Sequence, residues 1–494
     1  MNCGGIFLSS LQIIQNQLQS ELNYSMDVIT RPFVFHLVDS KINGFLLYIQ
    51  GIVNEKEIEE SIIRCLQKKT TLTADDTLLT SICMEVIETK KYQIRSLHSL
   101  ERVINDVLAG NTLIIFENYH EIISATTTKM KERAFSPPES QRVLRGPHIG
   151  FNEHLNSNIA LIRGIIKNKN LTFEKHTIGT QTNTDICLVY LQDKVDPTIL
   201  KELKHRLNNI QLSEVIESNY IEEFIHYDFF TPFPLILNSD RPDVISAEVL
   251  GSKIAILVDG TGYALLMPSP LITFLHSPDD YYFKWNLFFN RFLRFFSLIV
   301  GIYIPGLYIA FVNFEPGFIP YDLVISLASQ SENKPLPLVF EVLIFTILLT
   351  VIVESALRLD KNLVLTVSLI GAIVIGQAAI EAGIVQPATL VVVSISYILS
   401  FAAPIQTMDS AMRIIRYALI LMSAAFGVFG ITLATIALIV HLAHLRSFGV
   451  PYLSPFAPFD PKDQKDTIIR FSLPKILKAK NKMHHEEPFF KKKK

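Results

Sequence analysis

The sequence predicts a chain in two parts: a soluble α/β N-terminal region of two small mixed α/β units, followed by an α-helical polytopic membrane domain. Three observations predict this. Up to about Tyr282 short strand-like and helix-like segments alternate, whereas from Trp285 to about Leu445 charges become sparse and apolar runs dominate. The stretch Leu363 to Val385, LVLTVSLIGAIVIGQAAIEAGIV, is long enough as a helix to cross a hydrocarbon core about 30 Å thick. The chain of 494 residues, with mean hydropathy +0.31 and a formal net charge of −2, is too long for one ordinary domain and carries no bulk charge suited to nucleic acid.

Residues 1–27 are expected to hold a lead helix, because Leu8, Leu11, Ile14, Leu18 and Leu22 recur at a helical period. The opening MNCGGIFLSSLQ lacks a basic segment followed by an apolar run and a small-residue cleavage site, so the N-terminal region is expected in the cytoplasm. A first cytoplasmic α/β subdomain spans 28–130. In it Phe33 to Leu37, Gly44 to Ile52 and Thr112 to Phe116 read as strands, Glu57 to Gln67 as a helix capped by Asn54, and ADDTLLTSICMEVI as another. Pro137, Pro138, Gly146, Pro147 and Gly150 crowd a connector at 131–150.

A second cytoplasmic α/β subdomain follows at 151–235, with a helix from Asn152 to Lys167, a strand from Thr184 to Leu191, and a helix from Asp196 to Leu207 opened by Asp196-Pro197. Residues 236–284 read as a Pro-rich linker, a β-hairpin turning through Asp259-Gly260-Thr261-Gly262, and an interfacial helix begun by Ser277-Pro278-Asp279-Asp280. The Asp-Gly pair is a turn signal; a phosphate cradle would need a lysine and a strand-loop-helix context that are missing. Cys3, Cys65, Cys83 and Cys187 have no ligand spacing, and neither a cofactor nor a metal is expected. No nucleophile elbow, HExxH or P-loop is present, so the chain is not expected to be an enzyme.

The transmembrane domain, 285–446, offers four to six membrane segments: Leu293 to Phe311 with Pro305-Gly306 as a kink, Leu338 to Leu357, Leu363 to Val385, the short Thr389 to Ala402, and Tyr417 to Ala443. Lys284, Arg291, Arg294, Arg358 and Lys361 place the soluble region inside, and a basic tail at 447–494 favours an even number of crossings; that tail is either drawn to anionic lipid or simply solvated. In the Leu363 to Val385 helix, Ala372, Gly376, Ala379 and Gly383 form a small-residue stripe for helix packing, and roughly opposite lie Thr366, Ile370, Ile373, Gln377 and Glu381. Glu381 either lines a water-filled path or sits at the headgroups. Glu354 and Arg358, four apart, read as a structural ion pair, and Asp409 and Arg413 repeat the spacing. Glu341 has no partner in sequence, and His441 with His444 read as packing or interfacial residues rather than metal ligands.

Long motifs then carry a resemblance: LLYIQGIVN, RGPHIGFNEHLNSNIALIR, PFP with RPD at Pro232 to Asp243, IAILVDGT at Ile254 to Thr261, SPDDYY, GQAAIEAGIVQP at Gly376 to Pro387, and HLAHLRSFGVPYLSPFAP at His441 to Pro458. From about Asp27 to Pro458 the chain resembles the A subunits of spore germinant receptors, the GerA family. It departs from the family pattern at Ser239-Asp240, Gly262 and Asp360, all in turns or helix ends. The resemblance implies a subunit of a complex in the spore inner membrane. Its implied partners are a transporter-like B-type nutrient-sensing subunit and a C-type lipoprotein subunit. It also implies a homo-oligomeric ring of A subunits forming a nutrient-gated channel for monovalent cations. On that basis the Thr366 to Glu381 face is the expected pore lining, with Ile370 and Ile373 as apolar rings. A non-conducting scaffold and a secondary transporter component are the alternatives; no internal repeat supports the latter.

Overall fold

The structure, a computed structural model, describes residues 10–36, 41–64, 89–93, 97–117, 121–128, 137–138, 141, 143, 146–226, 230–277, 287–332, 334–356, 376–402, 404–459 and 467. It divides into two compact units, one made mostly of Met1–Tyr227 and Ile236–Pro268, the other mostly of Asp228–Leu235 and Ser269–Asn481.

The first unit opens with α1 (Ser10–Glu21), β1 (Val28–His36) and β2 (Lys41–Ile49). A turn of helix, α2 (Glu55–Glu57), runs on as a π-helical segment, Ile58–Ile63. Then come β3 (Thr89–Gln93), α3 (Leu97–Leu108), β4 (Thr112–Phe116) and β5 (Glu121–Ala125). The five strands form an antiparallel sheet in the order β1-β2-β4-β5-β3. Side chains alternate along a strand, so Phe45, Leu47 and Ile49 of β2 meet α1 and α3 while Leu46 and Tyr48 meet Ile58, Ile62 and Ile63 on the other face. Both faces are covered, which is why the run Phe45 to Ile49 is apolar without interruption. Asn54 stands at the helix start without a side-chain cap bond and donates instead to Glu57 Oε2 at 3.2 Å. The expected helix over ADDTLLTSICMEVI lies outside the described residues.

The second sheet contains β6 (Leu171–Ile178), β7 (Thr184–Leu191), β8 (Leu237–Ser239), β9 (Ile254–Val258) and β10 (Ala264–Met267), antiparallel in the order β6-β7-β9-β10-β8. Between its strands run α4 (Leu155–Ile165), α5 (Pro197–Asn208), α6 (Ser218–Ile225) and α7 (Pro242–Leu250). Asp196 caps α5 by accepting from Thr198 N at 2.8 Å, with Pro197 in the first turn. The hairpin expected within 236–284 is β9 and β10, which pair with each other and, through β7 and β8, with the rest of this sheet. All nine strand residues of the hairpin, IAILV and ALLM, are buried, and strands so apolar need neighbours on both edges and both faces.

Two side-chain clusters tie the first unit together. Arg163 of α4, 1% exposed, grips Asp27 through Nε to Oδ2 at 2.6 Å and Nη2 to Oδ1 at 3.0 Å, and also donates to the carbonyls of Asn168 and Leu171. Ser25 Oγ donates to Asp27 Oδ1 at 2.5 Å and accepts from Phe173 N, so every polar atom of the pair is engaged. Arg241, fully buried, forms a two-point pair with Asp243 and donates to the carbonyls of Gln141 and Pro147, pinning the connector. At the tip of the β9–β10 hairpin, Asp259 Oδ1 accepts from Leu155 N at 3.0 Å. It thereby caps α4, whose own cap residue His154 offers no side-chain bond.

The second unit contains α8 (Leu271–Leu275), α9 (Leu287–Asn313), α10 (Tyr321–Ser331), α11 (Leu338–Ala356), α12 (Gly376–Glu381), α13 (Pro387–Ser400) and α14 (Gln406–His444), followed by a tight hairpin of β11 (Arg446–Ser447) and β12 (Val450–Pro451). Of these, α9, α11 and α14 are long and apolar enough to cross a membrane. The helix α10 lies between the expected spans Leu293 to Phe311 and Leu338 to Leu357. The expected interfacial helix from Ser277, including Trp285, falls largely outside the described residues.

α14 is not one rod. Gly427 has φ +60° and ψ −139°, a backbone state that only glycine adopts without strain. A Cβ on Gly430 would run into the carbonyl of Met422, eight residues earlier, so the second arm folds back along the first. α9 lies beside both arms: Ser423 Oγ donates to the Gly306 carbonyl, and Tyr303 OH bonds Thr435 Oγ1 at 3.0 Å. The single segment Tyr417 to Ala443 expected from sequence is therefore a helical hairpin. Uniformly apolar residues on both sides of Gly427 conceal the turn.

After α14 the chain makes its hairpin through Phe448 and Gly449, both at positive φ. Ser447 Oγ accepts from Ser269 N at 2.9 Å and donates to the Leu235 carbonyl at 2.7 Å. Tyr452, fully buried between Phe233 and Phe274, accepts Leu271 N on its carbonyl, and burial pushes its hydroxyl pKa well up.

Candidate functional site

Charged groups inside an apolar helical unit mark where function is concentrated, because each must be compensated locally. Of the face expected to line a pore, Thr366, Ile370 and Ile373 lie outside the described residues. Gln377 and Glu381 lie on α12, both exposed, and bond to each other, Gln377 Nε2 donating to Glu381 Oε1 at 3.0 Å. On the small-residue stripe, Ala372 is outside the described residues, and Ala379 is 9% exposed and packs with Ile309, Val342 and Val385. A Cβ on Gly376 would meet nothing within 4 Å among the described residues.

Gly383 does something other than extend the stripe. It stands at φ +66°, with Gly383 N donating to Ile380 O and Ile384 N to Ala379 O, both at 3.0 Å. This pair of bonds is the Schellman arrangement that stops a helix, so the helical run ends before Val385.

Glu354 is exposed, and its expected partner Arg358 lies outside the described residues. Asp409 and Arg413 do meet, Nε to Oδ2 at 3.3 Å. His441 Nε2 bonds Thr231 Oγ1 at 2.9 Å and its ring lies 6.2 Å from Phe233. Among the described residues no three His, Cys, Asp or Glu side chains come together as metal ligands would.

Sequence reasoning missed a buried polar seam along α11. Thr350 Oγ1 bonds the hydroxyls of Tyr397 and Tyr417, and Tyr397 OH also donates to the Thr346 carbonyl at 3.1 Å. Arg416, 1% exposed, stacks its guanidinium 4.8 Å from the Tyr397 ring centroid, and none of its three nitrogens has a hydrogen-bond partner among the described residues. The ring face offers it partial compensation.

Near the start of α11, Glu341 is fully buried; its Oε2 accepts from Gln386 N and Thr389 Oγ1, both at 3.1 Å. Thr389 in turn contacts Tyr308 OH at 3.4 Å. The readable signal was Glu341 itself, a lone carboxylate in an apolar run. Gln386 also lines a cleft of about 520 Å³ that lies between Asn313, Leu327, Lys334 and Leu338.

A mixed α/β region joined to apolar helices that hold charges in their interior is compatible with an integral membrane protein bearing a large soluble domain. Residues 16–482 match the family described as Bacillus/Clostridium GerA spore germination protein. The chain is 36% identical over 415 residues to spore germination protein KA of Bacillus subtilis (strain 168), covering 83% of this chain and 75% of that protein. It is 34% identical over 421 residues to spore germination protein B1 of the same organism, covering 85% and 86%. It is also similar to a crystal structure, the N-terminal domain of the A subunit of the Bacillus megaterium spore germinant receptor GerK3. There the identity is 26%, the coverage 53% of this chain and 96% of that one, and the TM-score 0.41. The chain belongs to the GerA family, the A subunits of germinant receptors involved in spore germination.

Proposed function

We propose that this chain is the membrane subunit of a nutrient receptor and that copies of it assemble into a ring forming a nutrient-gated cation channel. It works with a B-type nutrient-sensing subunit and a C-type lipoprotein in the spore inner membrane, with its α/β unit on the core side. The observation that supports this reading is the two-sidedness of α12. Gln377 and Glu381 are exposed and bonded to each other, while Ala379 is packed inside the unit and, among the described residues, Gly376 has nothing close beside it. A carboxylate left exposed beside apolar spans suits a shared aqueous axis, where it attracts cations, and an open glycine suits a neighbouring helix. Thr366, Ile370 and Ile373 continue the polar-to-apolar face by sequence spacing, the isoleucines closing the path by dewetting.

The test is cation flux through the complex reconstituted in vesicles, with and without nutrient. Ile373→Ser should leak without nutrient, and Glu381→Gln should reduce the nutrient-triggered flux. Flux unchanged in both variants overturns the pore assignment. Absence of any flux from the wild-type complex favours a non-conducting scaffold.

A further inference from the structure

The geometry points to a monovalent-cation site built by Glu341, Gln386 and Thr389, away from the α12 face. It requires only the helical unit and not the pore reading. Three observations carry it. Glu341 is fully buried, yet its Oε1 receives no hydrogen bond and no basic side chain pairs with it among the described residues. Gln386, 4% exposed, likewise has an Oε1 with no partner among the described residues. These two side chains belong to residues already in contact, since Glu341 Oε2 lies 3.1 Å from Gln386 N, and Thr389 adds a fully buried hydroxyl oxygen 3.1 Å from the same carboxylate.

The competing explanation is that Glu341 merely caps α13. It does cap that helix: Gln386 is the cap residue, offers no side-chain bond of its own, and its N–H is held by Glu341. A helix N-terminus, however, carries only about half a positive charge, so a full carboxylate is left with roughly half a unit of negative charge in an apolar surround. Capping uses one carboxylate oxygen and leaves the other, together with the Gln386 amide oxygen, facing no donor. A second hydrogen-bond donor from elsewhere would satisfy these atoms but not the charge; a dehydrated cation satisfies both, and so would a proton shared by the two oxygens, which predicts no difference between potassium, sodium and choline. Carboxylate, amide and hydroxyl oxygens without nitrogen or sulfur are the ligands of hard cations. The single carboxylate matches a single positive charge. Gln386 also lines the cleft of about 520 Å³, which gives a path of entry.

The experiment measures the thermal midpoint of the full-length chain in detergent, in potassium, sodium, methylammonium or choline chloride at equal ionic strength. Choline is too large to enter. The wild-type midpoint should rise by roughly 2–4 °C in potassium or sodium relative to choline. The rise should vanish in Glu341→Gln and in Gln386→Leu. The second variant keeps the backbone N–H that Glu341 holds, so the cap survives and a response lost there reports the site rather than the fold. No rise in the wild type, or the same rise in all three proteins, overturns the proposal; a capping role alone, or a buried water at the same oxygens, gives these results. A response to methylammonium alone overturns the metal-cation assignment. Flux may fail or succeed in the vesicle assay without changing this readout, so the two readings stand or fall separately.

Discussion

Ser396 Oγ on α13 donates to the carbonyl of Gly301 on α9 at 2.5 Å. Residue 305, four positions on, is the proline inside α9, and proline has no N–H to give that carbonyl. The serine therefore satisfies a backbone group that apolar surroundings would otherwise leave bare. Gly301 lets the helices approach: a Cβ there would lie 3.1 Å from Leu399 Cβ. Ser396→Ala should destabilise the helical unit by about 1–3 kcal/mol, the usual cost of stranding a buried polar group. In a Pro305→Ala background the same change should cost clearly less, because the helix then supplies its own donor. A denaturation-based double-mutant cycle with zero coupling would sink this account.

The Arg163–Asp27 pair yields a second prediction. Both side chains are 1% exposed, and removing either strands the other's charge among apolar groups. Asp27→Ala should cost about 3–5 kcal/mol of stability in the first unit, whereas a surface pair such as Lys169–Glu21 should cost about 0–1 kcal/mol. Equal losses for Asp27→Ala and Glu21→Ala in chemical denaturation would refute the distinction.

A third prediction concerns pH. Glu174 on β6 is hydrogen-bonded by His176, Lys204 and Tyr190, which hold its carboxyl down from 4.5 to about 2 against the opposing effect of burial. A folded-state pKa below the unfolded one means the stabilisation is fully present above about pH 4.5 and is lost as the pH falls toward 2. Wild-type protein should therefore lose more stability between these limits than Glu174→Gln, measured as thermal midpoint against pH. Parallel curves would show that the cluster does not contribute.

Local signals in the sequence were sufficient for β4, β7 and α5, where apolar runs or a cap and proline fix the element without distant help. They were insufficient for the second sheet. β9 pairs with β7, Ile186 opposite Val258, and no local pattern can announce a partner so far along the chain. The long motifs pointed to the right places without revealing their purpose. Arg163, Arg241 and Asp259 all lie in them, and all three turn out to lock the backbone of the α/β unit: the Asp259-Gly260 turn also caps α4. In the helical unit, periodicity located Gln377 and Glu381 on one side of α12 but gave Gly383 to the packing stripe, because spacing carries no information about φ. Glu341 was visible as an anomaly, but its contacts with Gln386 and Thr389 arise only when α11 and α13 come together.

The turn at Gly427 also bears on how the chain enters a bilayer. From Tyr417 to Val440 there is no ionisable residue except the tyrosine, while Arg413, Arg416, His441, His444 and Arg446 gather at the two feet of the hairpin. An uncharged loop tip with cationic feet can be delivered as one piece, both feet staying on the side from which it came and no charge being carried across. Biogenesis of the last two helical arms would then be a single event, and a straightened α14 would force one charged foot through the lipid.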